Sequence, residues 1–306
     1  MNVDPLPKLS IVTVNFGSAD RIKTLWKSLE QFSPSCEWEF IVVDNPTKKG
    51  GDAEALEQFF VDEERVHLIR LAHNHGYGGG NAEGVRFARG ELLAILNPDV
   101  EILAETWTPL LEAVQNPNVG IAVPVLQTQD GKILENCRRF PSPAGLLWRR
   151  IRGTAGVPAK SGEKKSAVPT DWSQGSFWVL EKKLFEEIGG FDPRFFLFLE
   201  DTDFCRRVWE RGKKIVQVTN SHAIHSPNRL SGGNLLKSLG RKTFWIHLQS
   251  AVKYFWKWRG KTPPSVGGGG KVFGTFVLSA RSSDTGVLTF PSIITRATTI
   301  FYFGYR

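Results

Sequence analysis

Short apolar runs rich in β-branched residues alternate with amphipathic segments through the first 126 residues of the chain. The runs have the length of strands buried on both faces, and the segments between them repeat apolar residues at helical spacing. Predicted strands cover 9–14, 40–43, 66–71 and 92–96, and predicted helices include 52–60 and 104–115. Strands separated by helices of this length pair in parallel through right-handed crossovers. The pattern therefore predicts an α/β fold, with a mainly parallel central sheet and helices on both faces.

The rhythm changes after this region, where the elements are shorter and the connections longer. The predicted elements are strands at 176–180 and 214–219, helices at 181–188 and 202–211, and a long loop at 141–170. We predict one domain over residues 1–233, with halves at 8–126 and 127–233. A C-terminal helical extension at 234–260 follows, and then a glycine-rich linker and appendage of unknown role at 261–306.

The net charge of +8 and the isoelectric point near 9.4 favour an anionic partner, such as a phosphorylated small molecule, a nucleic acid or an anionic lipid. Cys36, Cys137 and Cys205 are far apart and odd in number, so neither a disulfide framework nor a zinc site is predicted. No signal peptide and no membrane-spanning run of about 20 apolar residues is expected. The predicted compartment is a reducing cytoplasm.

All four predicted strands of the first half end in polar or glycine-rich sequence. Asn15 follows the first strand, Asp44 the second, residues 73–81 the third, and Asn97-Pro98-Asp99 the fourth. Ligands of open parallel sheets bind beyond the carboxyl ends of the strands, so these ends together predict one binding site. The glycines of the third end would let the backbone approach a diphosphate at a helix N-terminus, and Asp99 would hold a divalent cation there.

Simpler explanations exist for the same features. The glycine run can be a flexible turn, and Asn-Pro-Asp is also a common turn sequence. A dinucleotide-binding fingerprint fits poorly, because Asn81 replaces its third glycine and the run follows the third strand rather than the first. The prediction of a diphosphate site therefore depends on the four strand ends acting together.

Two adjacent carboxylates, Glu200 and Asp201, follow a very apolar run and precede the predicted helix at 202–211. The helix dipole stabilises acidic residues at a helix start, but it does not account for two acids upstream of that start. Burial and a like-charged neighbour raise a carboxyl pKa, which suits a general base. His225 follows the last predicted strand and can complete a metal site with Asp99, although most isolated histidines are structural or exposed.

A series of short motifs occurs in a specific order and spacing. The motifs are IVTVNFGSAD, FIVVDN, NHGYGGGNAEG, LLAILNPDV, CRRFPSP, WSQGSFWVL, GGFDPRFFLFLEDTDFCRRVWERG and the histidine of AIHS. Together they resemble the family 2 glycosyltransferases with the GT-A fold, the nucleotide-diphospho-sugar transferase fold, and especially their bacterial rhamnosyltransferase-like members. The similarity covers about residues 8–260 and implies a nucleotide-binding half at 8–126 and an acceptor half at 127–233.

The resemblance also implies which residues contact the sugar donor. They are Thr13, Asn15, Asp44, Asn74, Gly76, Asn81, Asn97, Arg138 and Arg139. Asn97 stands where the family usually has the first aspartate of Asp-x-Asp, so it is expected on the ribose side.

The remaining implied roles concern the metal, the acceptor and the chemistry. Asp99 and His225 would bind the divalent metal, Mn²⁺ or Mg²⁺. Two further residues, Trp172 and Gly175, would shape the acceptor site. In the catalytic pair, Asp201 would be the base and Glu200 its neighbour.

The implied reaction is an inverting transfer of a sugar, with rhamnose from dTDP-rhamnose as the expected donor. The implied acceptor is a glycan or a polyprenyl-linked molecule of cell-envelope polysaccharide synthesis, and no nucleic acid is expected as a partner. A nucleotidyltransferase is one alternative, but it would normally carry a basic loop after the first strand, and residues 15–18 contain no Lys or Arg. A non-enzymatic nucleic-acid-binding protein is the other, but the aromatic residues concentrate at 244–258 rather than interleaving with basic ones along a strand surface.

Residues 235–259 combine aromatic and basic side chains at helical spacing. Such a helix suits an anionic bilayer surface, which predicts peripheral attachment to the inner face of the cell membrane. The alternative is a helix that packs on the catalytic domain.

Overall fold

The structure is a computed structural model that describes residues 7–48, 50–143, 145, 166–226 and 242–266. Most of the predicted loop at 141–170, the beginning of the predicted C-terminal helix and the appendage after residue 266 lie outside these residues.

The described residues form strands and helices in the following order. The strands are β1 (Leu9–Asn15), β2 (Trp38–Asp44), β3 (Val66–Arg70), β4 (Leu92–Leu96), β5 (Val100–Ile102), β6 (Val119–Gln127), β7 (Cys137–Arg138), β8 (Ala167–Thr170), β9 (Trp172–Ser173), β10 (Phe177–Glu181) and β11 (Lys214–His225). The helices are α1 (Ala19–Gln31), α2 (Asp52–Phe59), α3 (Gly76–Phe87), α4 (Trp107–Val114), α5 (Lys182–Ile188), α6 (Glu200–Glu210) and α7 (Lys242–Lys257).

A nine-stranded sheet has the order β3-β2-β1-β4-β10-β6-β11-β5, and β8 pairs with β11 beside this path. β1 pairs in parallel with β2 and β4, and β2 pairs in parallel with β3. The predicted mainly parallel sheet is therefore confirmed. The second half differs, because β10 runs antiparallel between β4 and β6, and β5 and β8 run antiparallel to β11.

Helices cover both faces of this sheet, as predicted. Successive residues of a strand point to opposite faces, so Ile11 packs in a cluster that includes α1, α2 and α4, whereas Val12 packs in one that includes α3, α5 and α6. Trp26 of α1 is 2% exposed, and Phe204 of α6 is fully buried. Each such side chain stabilises the fold by roughly 1.5–3 kcal/mol. Two packed layers thus hold the strand ends in fixed positions.

Several elements differ from the predictions, and one of them is β8, a strand at Ala167–Thr170 within the predicted loop at 141–170, where it pairs with β11. β5 occupies residues that carried no predicted strand, and α4 consequently begins three residues after the predicted start at 104. β11 continues to His225 instead of ending at 219, because its second part pairs with β5 and β6. α6 begins at Glu200 rather than at 202, so both predicted catalytic acids lie in its first turn.

The C-terminal helix α7 packs on the domain through Tyr254, which is 1% exposed, in a cluster with Phe195, Leu199 and Trp258. Among the described residues, no helix combines the length and apolarity needed to cross a membrane.

Candidate active site

The first two strand ends meet as predicted. The side chain of Asn15 donates a hydrogen bond of 2.5 Å to Asp44, because parallel pairing places these two residues in register. Asn15 also accepts hydrogen bonds from the backbone and hydroxyl of Ser18, which fixes its amide orientation. Burial raises the pKa of Asp44, although the bond from Asn15 opposes this effect. The end of β1 and β2 therefore presents a polar pair of fixed geometry.

The glycine-rich segment lies against the chain that precedes the catalytic acids. Gly76 has a φ of +73°, and a Cβ at this position would stand 1.9 Å from the carbonyl oxygen of Phe196. The backbone N–H of Tyr77 donates to the same carbonyl at 3.1 Å. Asn74 accepts a hydrogen bond of 2.8 Å from Gly76 N–H and so orders the helix start. The absence of a side chain at Gly76 thus permits a close approach within the protein itself.

Two of the residues implied for donor binding lie deep in this region. Thr13 and Asn81 are both fully buried. The Asn81 amide donates to Tyr77 O at 3.0 Å, and its Oδ1 and the hydroxyl of Thr13 have no hydrogen-bond partner among the described residues. At the end of β4, Asn97 donates its backbone N–H to Ser176 at 2.9 Å, which ties the Asn-Pro-Asp turn to β10.

Asp99 and His225 lie side by side at the end of the sheet. Oδ1 of Asp99 is 3.1 Å from Nε2 of His225. The pairing of β5 with β11 brings them together, with His225 opposite Val100 and Ser226 N–H donating to Asp99 O at 3.1 Å. Both side chains are largely buried, and apart from this mutual contact neither atom has a hydrogen-bond partner in the described part of the chain.

This pair fits two ligands of one divalent cation. Ligands about 2.0–2.2 Å from an ion, at roughly a right angle, stand about 3 Å apart. A carboxylate oxygen and an imidazole nitrogen are suitable donors for Mn²⁺. The described residues contain no group of three or more His, Cys, Asp or Glu that could hold a metal. The protein would therefore supply two ligands, and an ion here would take the remaining ones from substrate or water.

A third side chain, Arg21, contacts this pair, although it was not predicted from the sequence. Arg21 of α1 donates to Oδ2 of Asp99 at 3.0 Å. This contact fixes the carboxylate so that the other oxygen points to His225. Nothing in the local sequence links Arg21 to Asp99, because α1 and β4 are distant in the chain.

Glu200 and Asp201, the acids predicted to be catalytic, lie at the first turn of α6. Phe198 and Leu199, directly before them, have φ values of 70° and 65°. Left-handed conformations cost non-glycine residues about 1–2 kcal/mol each, so packing must hold this segment in place. Asp201 accepts a hydrogen bond of 2.6 Å from Thr202 N–H and one of 3.3 Å from Gly175 N–H. Oε2 of Glu200 has no partner among the described residues, and Glu200 is 4% exposed.

The two acids therefore have different environments. Burial, with the charge of Asp201, raises the pKa of Glu200 well above its usual value. Burial also raises the pKa of Asp201, but the N–H groups of Thr202 and Gly175 and the charge of Arg138 oppose the shift. Of the pair, Glu200 therefore holds its proton more readily than Asp201 does. This separation suits Asp201 as a proton acceptor.

Replacement of Glu200 by glutamine is expected to make stability less dependent on pH. The folded-state pKa of Glu200 is raised, so the contribution of this group to stability is fully present below its unfolded pKa and is lost as pH rises through the folded value. Glutamine has the shape of the protonated acid and cannot ionise. Urea unfolding at a series of pH values upward from about 4.3, the pKa of an unfolded glutamate, should show a smaller decline for Glu200→Gln than for wild type. An exposed control, Glu105→Gln, should follow wild type, and parallel curves for all three proteins would contradict the prediction.

Tyr77 connects the acid pair with the metal pair. Its hydroxyl donates to the carbonyl of Gly175, and burial with the charges of Glu200, Asp201 and Asp99 raises its pKa well above the usual value. The charges of all three carboxylates therefore act on one tyrosine. Tyr77 lies in the motif NHGYGGGN, but the sequence predicted roles only for Asn74, Gly76 and Asn81 of that motif.

Arg138 lies on the acceptor half, where β7 pairs with β9 and Arg138 is opposite Trp172. Its guanidinium lies 5.8 Å from the centroid of the Trp172 ring, which is 6% exposed. The charge of Arg138 acts on Asp201, whereas the exposed Arg139 acts on Asp171. The two adjacent arginines thus serve different parts of the surface.

Asn45 also has a structural role in the site that was not predicted from the sequence. It is 2% exposed, its Oδ1 accepts from His75 N–H at 3.0 Å, and its amide donates to Gly76 O at 3.0 Å. Asn45 therefore ties the end of β2 to the start of α3. Its position directly after Asp44 in FIVVDN was the available signal.

Comparisons with known proteins identify the family of this chain. Residues 10–189 match the family described as Glycosyl transferase family 2. The hexosyltransferase Agl10 of low-salt glycan biosynthesis in Haloferax volcanii is 32% identical over 225 residues, covering 72% of this chain and 68% of that protein. The N-acetylglucosaminyl-diphospho-decaprenol L-rhamnosyltransferase of Mycobacterium tuberculosis is 24% identical over 273 residues, covering 81% and 86%.

Two solved structures share the fold. The mannosyltransferase PcManGT from Pyrobaculum calidifontis, in complex with GDP-Man and Mn²⁺, matches with a TM-score of 0.56 at 16% identity, covering 85% of this chain and 67% of that one. GalNAc-T7, with UDP, GalNAc and Mn²⁺, matches with a TM-score of 0.55 at 17% identity, covering 76% of this chain and 48% of that one. Both are similar in fold, which is the expected GT-A type. The chain therefore belongs to glycosyltransferase family 2 and is a nucleotide-sugar glycosyltransferase.

Proposed function

We propose that the protein is an inverting, metal-dependent glycosyltransferase that moves rhamnose from dTDP-rhamnose to a glycan or lipid-linked acceptor of the cell envelope. The observation that carries this proposal is the juxtaposition of two open metal-binding atoms, on Asp99 and His225, with a buried acid pair around Tyr77. The family membership favours sugar transfer over the alternatives of a nucleotidyltransferase and a nucleic-acid-binding protein.

The residues have separable tasks in this mechanism. Asn15 and Asp44 offer a fixed polar pair to the nucleoside, and Arg138 offers a cation to the diphosphate. A divalent ion held by Asp99 and His225 would stabilise the charge that develops on the departing diphosphate.

Asp201 removes the proton of the attacking hydroxyl. The acceptor oxygen forms its bond to the anomeric carbon while the bond from that carbon to the diphosphate oxygen breaks, and the leaving nucleoside diphosphate keeps the electron pair. Attack from the face opposite the leaving group inverts the anomeric configuration. Glu200, which holds its proton more readily, lies beside Asp201 and adjusts its affinity for the proton.

The proposed donor and acceptor follow from the relatives. The mycobacterial relative is named as a rhamnosyltransferase that acts on a decaprenol-linked sugar, and the archaeal relative as a hexosyltransferase of glycan synthesis. These names support a glycan or lipid-linked acceptor for this chain, and a polyprenyl-linked acceptor would place the enzyme at the inner face of the cell membrane.

A donor panel tests the proposal. The thermal midpoint of unfolding would be measured with dTDP-rhamnose, UDP-GlcNAc and GDP-mannose, each with and without Mn²⁺. A ligand at 100 times its Kd stabilises the folded state by about 2.7 kcal/mol, so binding should raise the midpoint clearly. We expect the largest Mn²⁺-dependent rise with dTDP-rhamnose. A larger rise with another donor would contradict dTDP-rhamnose as the donor. No rise with any donor would contradict the proposed function.

A further inference from the structure

We propose that α7 is a two-sided helix, with an inner face that fixes the loop carrying the catalytic acids and an outer face that binds an anionic lipid bilayer. That the acceptor lies in the same bilayer rests on the proposed function. The sequence predicts membrane attachment for the whole segment, whereas the structure assigns it to one stripe of side chains beside the catalytic loop.

The inner face is fixed by polar contacts to residues 192–203. Ser250 donates to Leu197 O at 2.8 Å, and Lys253 donates to Arg194 O at 2.8 Å. Lys257 donates to Asp192 at 2.6 Å and to Asp203 at 2.8 Å, and Trp258 Nε1 donates to Asp203 at 2.9 Å. Asp203 is fully buried in α6, two residues after the proposed base.

These contacts fix how α7 is rotated about its axis. A buried carboxylate that loses its charged partners is strongly destabilising, so Lys257 cannot turn away from Asp203 at low cost. Tyr254 adds a buried ring against Phe195 and Leu199, immediately before Glu200. The same inner face thus holds the left-handed segment in position, and the opposite face must point outward.

The outer face is an exposed apolar stripe. Trp245 is 54% exposed, Leu248 41%, Val252 63% and Trp256 63%. Spacings of three, four and four residues align these side chains on one side of the helix, opposite Ser250 and Tyr254. Trp245 and Trp256 lie near the two ends of the stripe, and tryptophan favours the interface between lipid and water.

The charge around this stripe selects an anionic bilayer. No Asp or Glu occurs between Glu210 and Asp284 in the sequence. Exposed cations border the stripe at Lys242 and Arg259, and the guanidinium of Arg259 lies 4.5 Å from the ring centroid of Trp256. Cations near an anionic lipid surface strengthen binding additively, so apolar and electrostatic terms act on the same face.

Co-sedimentation with vesicles tests the inference on the full chain. Wild type should bind vesicles of phosphatidylglycerol and phosphatidylcholine at low salt, and bind vesicles of phosphatidylcholine alone at least about tenfold less. The double variant Trp245→Ser/Trp256→Ser should bind the anionic vesicles about tenfold less or weaker still, because it loses two interfacial anchors. The matched control is Val61→Ser/Phe87→Ser, which removes two apolar side chains that are 75% and 56% exposed elsewhere. This control should bind as wild type does.

Calorimetry of the same preparations with donor and Mn²⁺ separates this inference from the proposed function. The Trp245→Ser/Trp256→Ser variant should keep the donor affinity and the thermal midpoint of wild type. Failure of wild type to bind anionic vesicles, or equal binding by this variant and the control, would overturn the membrane-binding face. If wild type binds no donor in the presence of Mn²⁺, the proposed function is contradicted instead.

Discussion

Replacement of Asp201 by asparagine is expected to lower turnover by about 100-fold or more while donor affinity is retained. Asparagine preserves the shape of the side chain but cannot accept the proton of the acceptor hydroxyl. Thr202 N–H donates to Oδ1 of Asp201 and Gly175 N–H donates to Oδ2, so the amide oxygen of asparagine can keep the shorter bond from Thr202 and only the longer bond from Gly175 is lost. The fold should therefore be maintained. Turnover at saturating donor, with donor Kd measured separately by calorimetry, gives the comparison.

Glu200→Gln is the matched variant for this experiment. It should cost less turnover, because Glu200 acts on the pKa of Asp201 and not on the substrate. The pH profile adds a second readout. A base must be unprotonated, so turnover of wild type should fall as pH drops through the pKa of Asp201, which burial holds above the usual aspartate range. An inactive Glu200→Gln variant beside a normally active Asp201→Asn variant would reverse the assignment of the base.

Replacement of Asp99 by alanine is expected to abolish the metal-dependent part of donor binding. Loss of groups that only orient a metal ligand costs about 10–100-fold in metal affinity, so removal of a ligand itself should cost about 100-fold or more. Calorimetric titration of donor in the presence and absence of Mn²⁺ measures the effect. Asp99 lies at a strand end and contacts Arg21 and His225 rather than the core, so the protein should remain folded.

His225→Ala should weaken the same binding less severely, since Asp99 and the donor diphosphate would still hold the ion. Asp130→Ala removes a carboxylate from an exposed turn and should behave as wild type. If donor binding by Asp99→Ala depends on Mn²⁺ as it does in wild type, Asp99 is not a metal ligand. If His225→Ala loses as much metal-dependent donor binding as Asp99→Ala, or more, then Asp99 is not the stronger of the two metal ligands.

The first half of the fold was predictable because its signals are local. The strand β1 and its helix α1 each have a clear apolar period, and parallel pairing then places Asn15 beside Asp44 without further information. The second half depends on contacts between distant parts of the chain. β5 is three residues long and exists because β11 pairs with it, so no local period could mark it.

The candidate site divides in the same way. Polar strand ends are visible in sequence, and both Asp99 and His225 follow predicted strands or lie at their extensions. Arg21 was missed, since only the packing of α1 on the sheet brings it to Asp99. The left-handed conformation of Phe198 and Leu199 was equally hidden, because neither residue type favours it and tertiary contacts impose it.

During protein synthesis the ribosome releases Asp99 long before His225, and domains begin to fold from the N-terminal end. A nascent chain that ends after β10 already contains Asn15, Asp44 and Asp99, but it has neither the acid pair nor the second metal ligand. The site is assembled only when β11 enters between β6 and β5. If Asp99 and His225 hold the metal as proposed, prematurely terminated chains lack one of its two ligands, and metal-dependent donor binding would require a complete sheet.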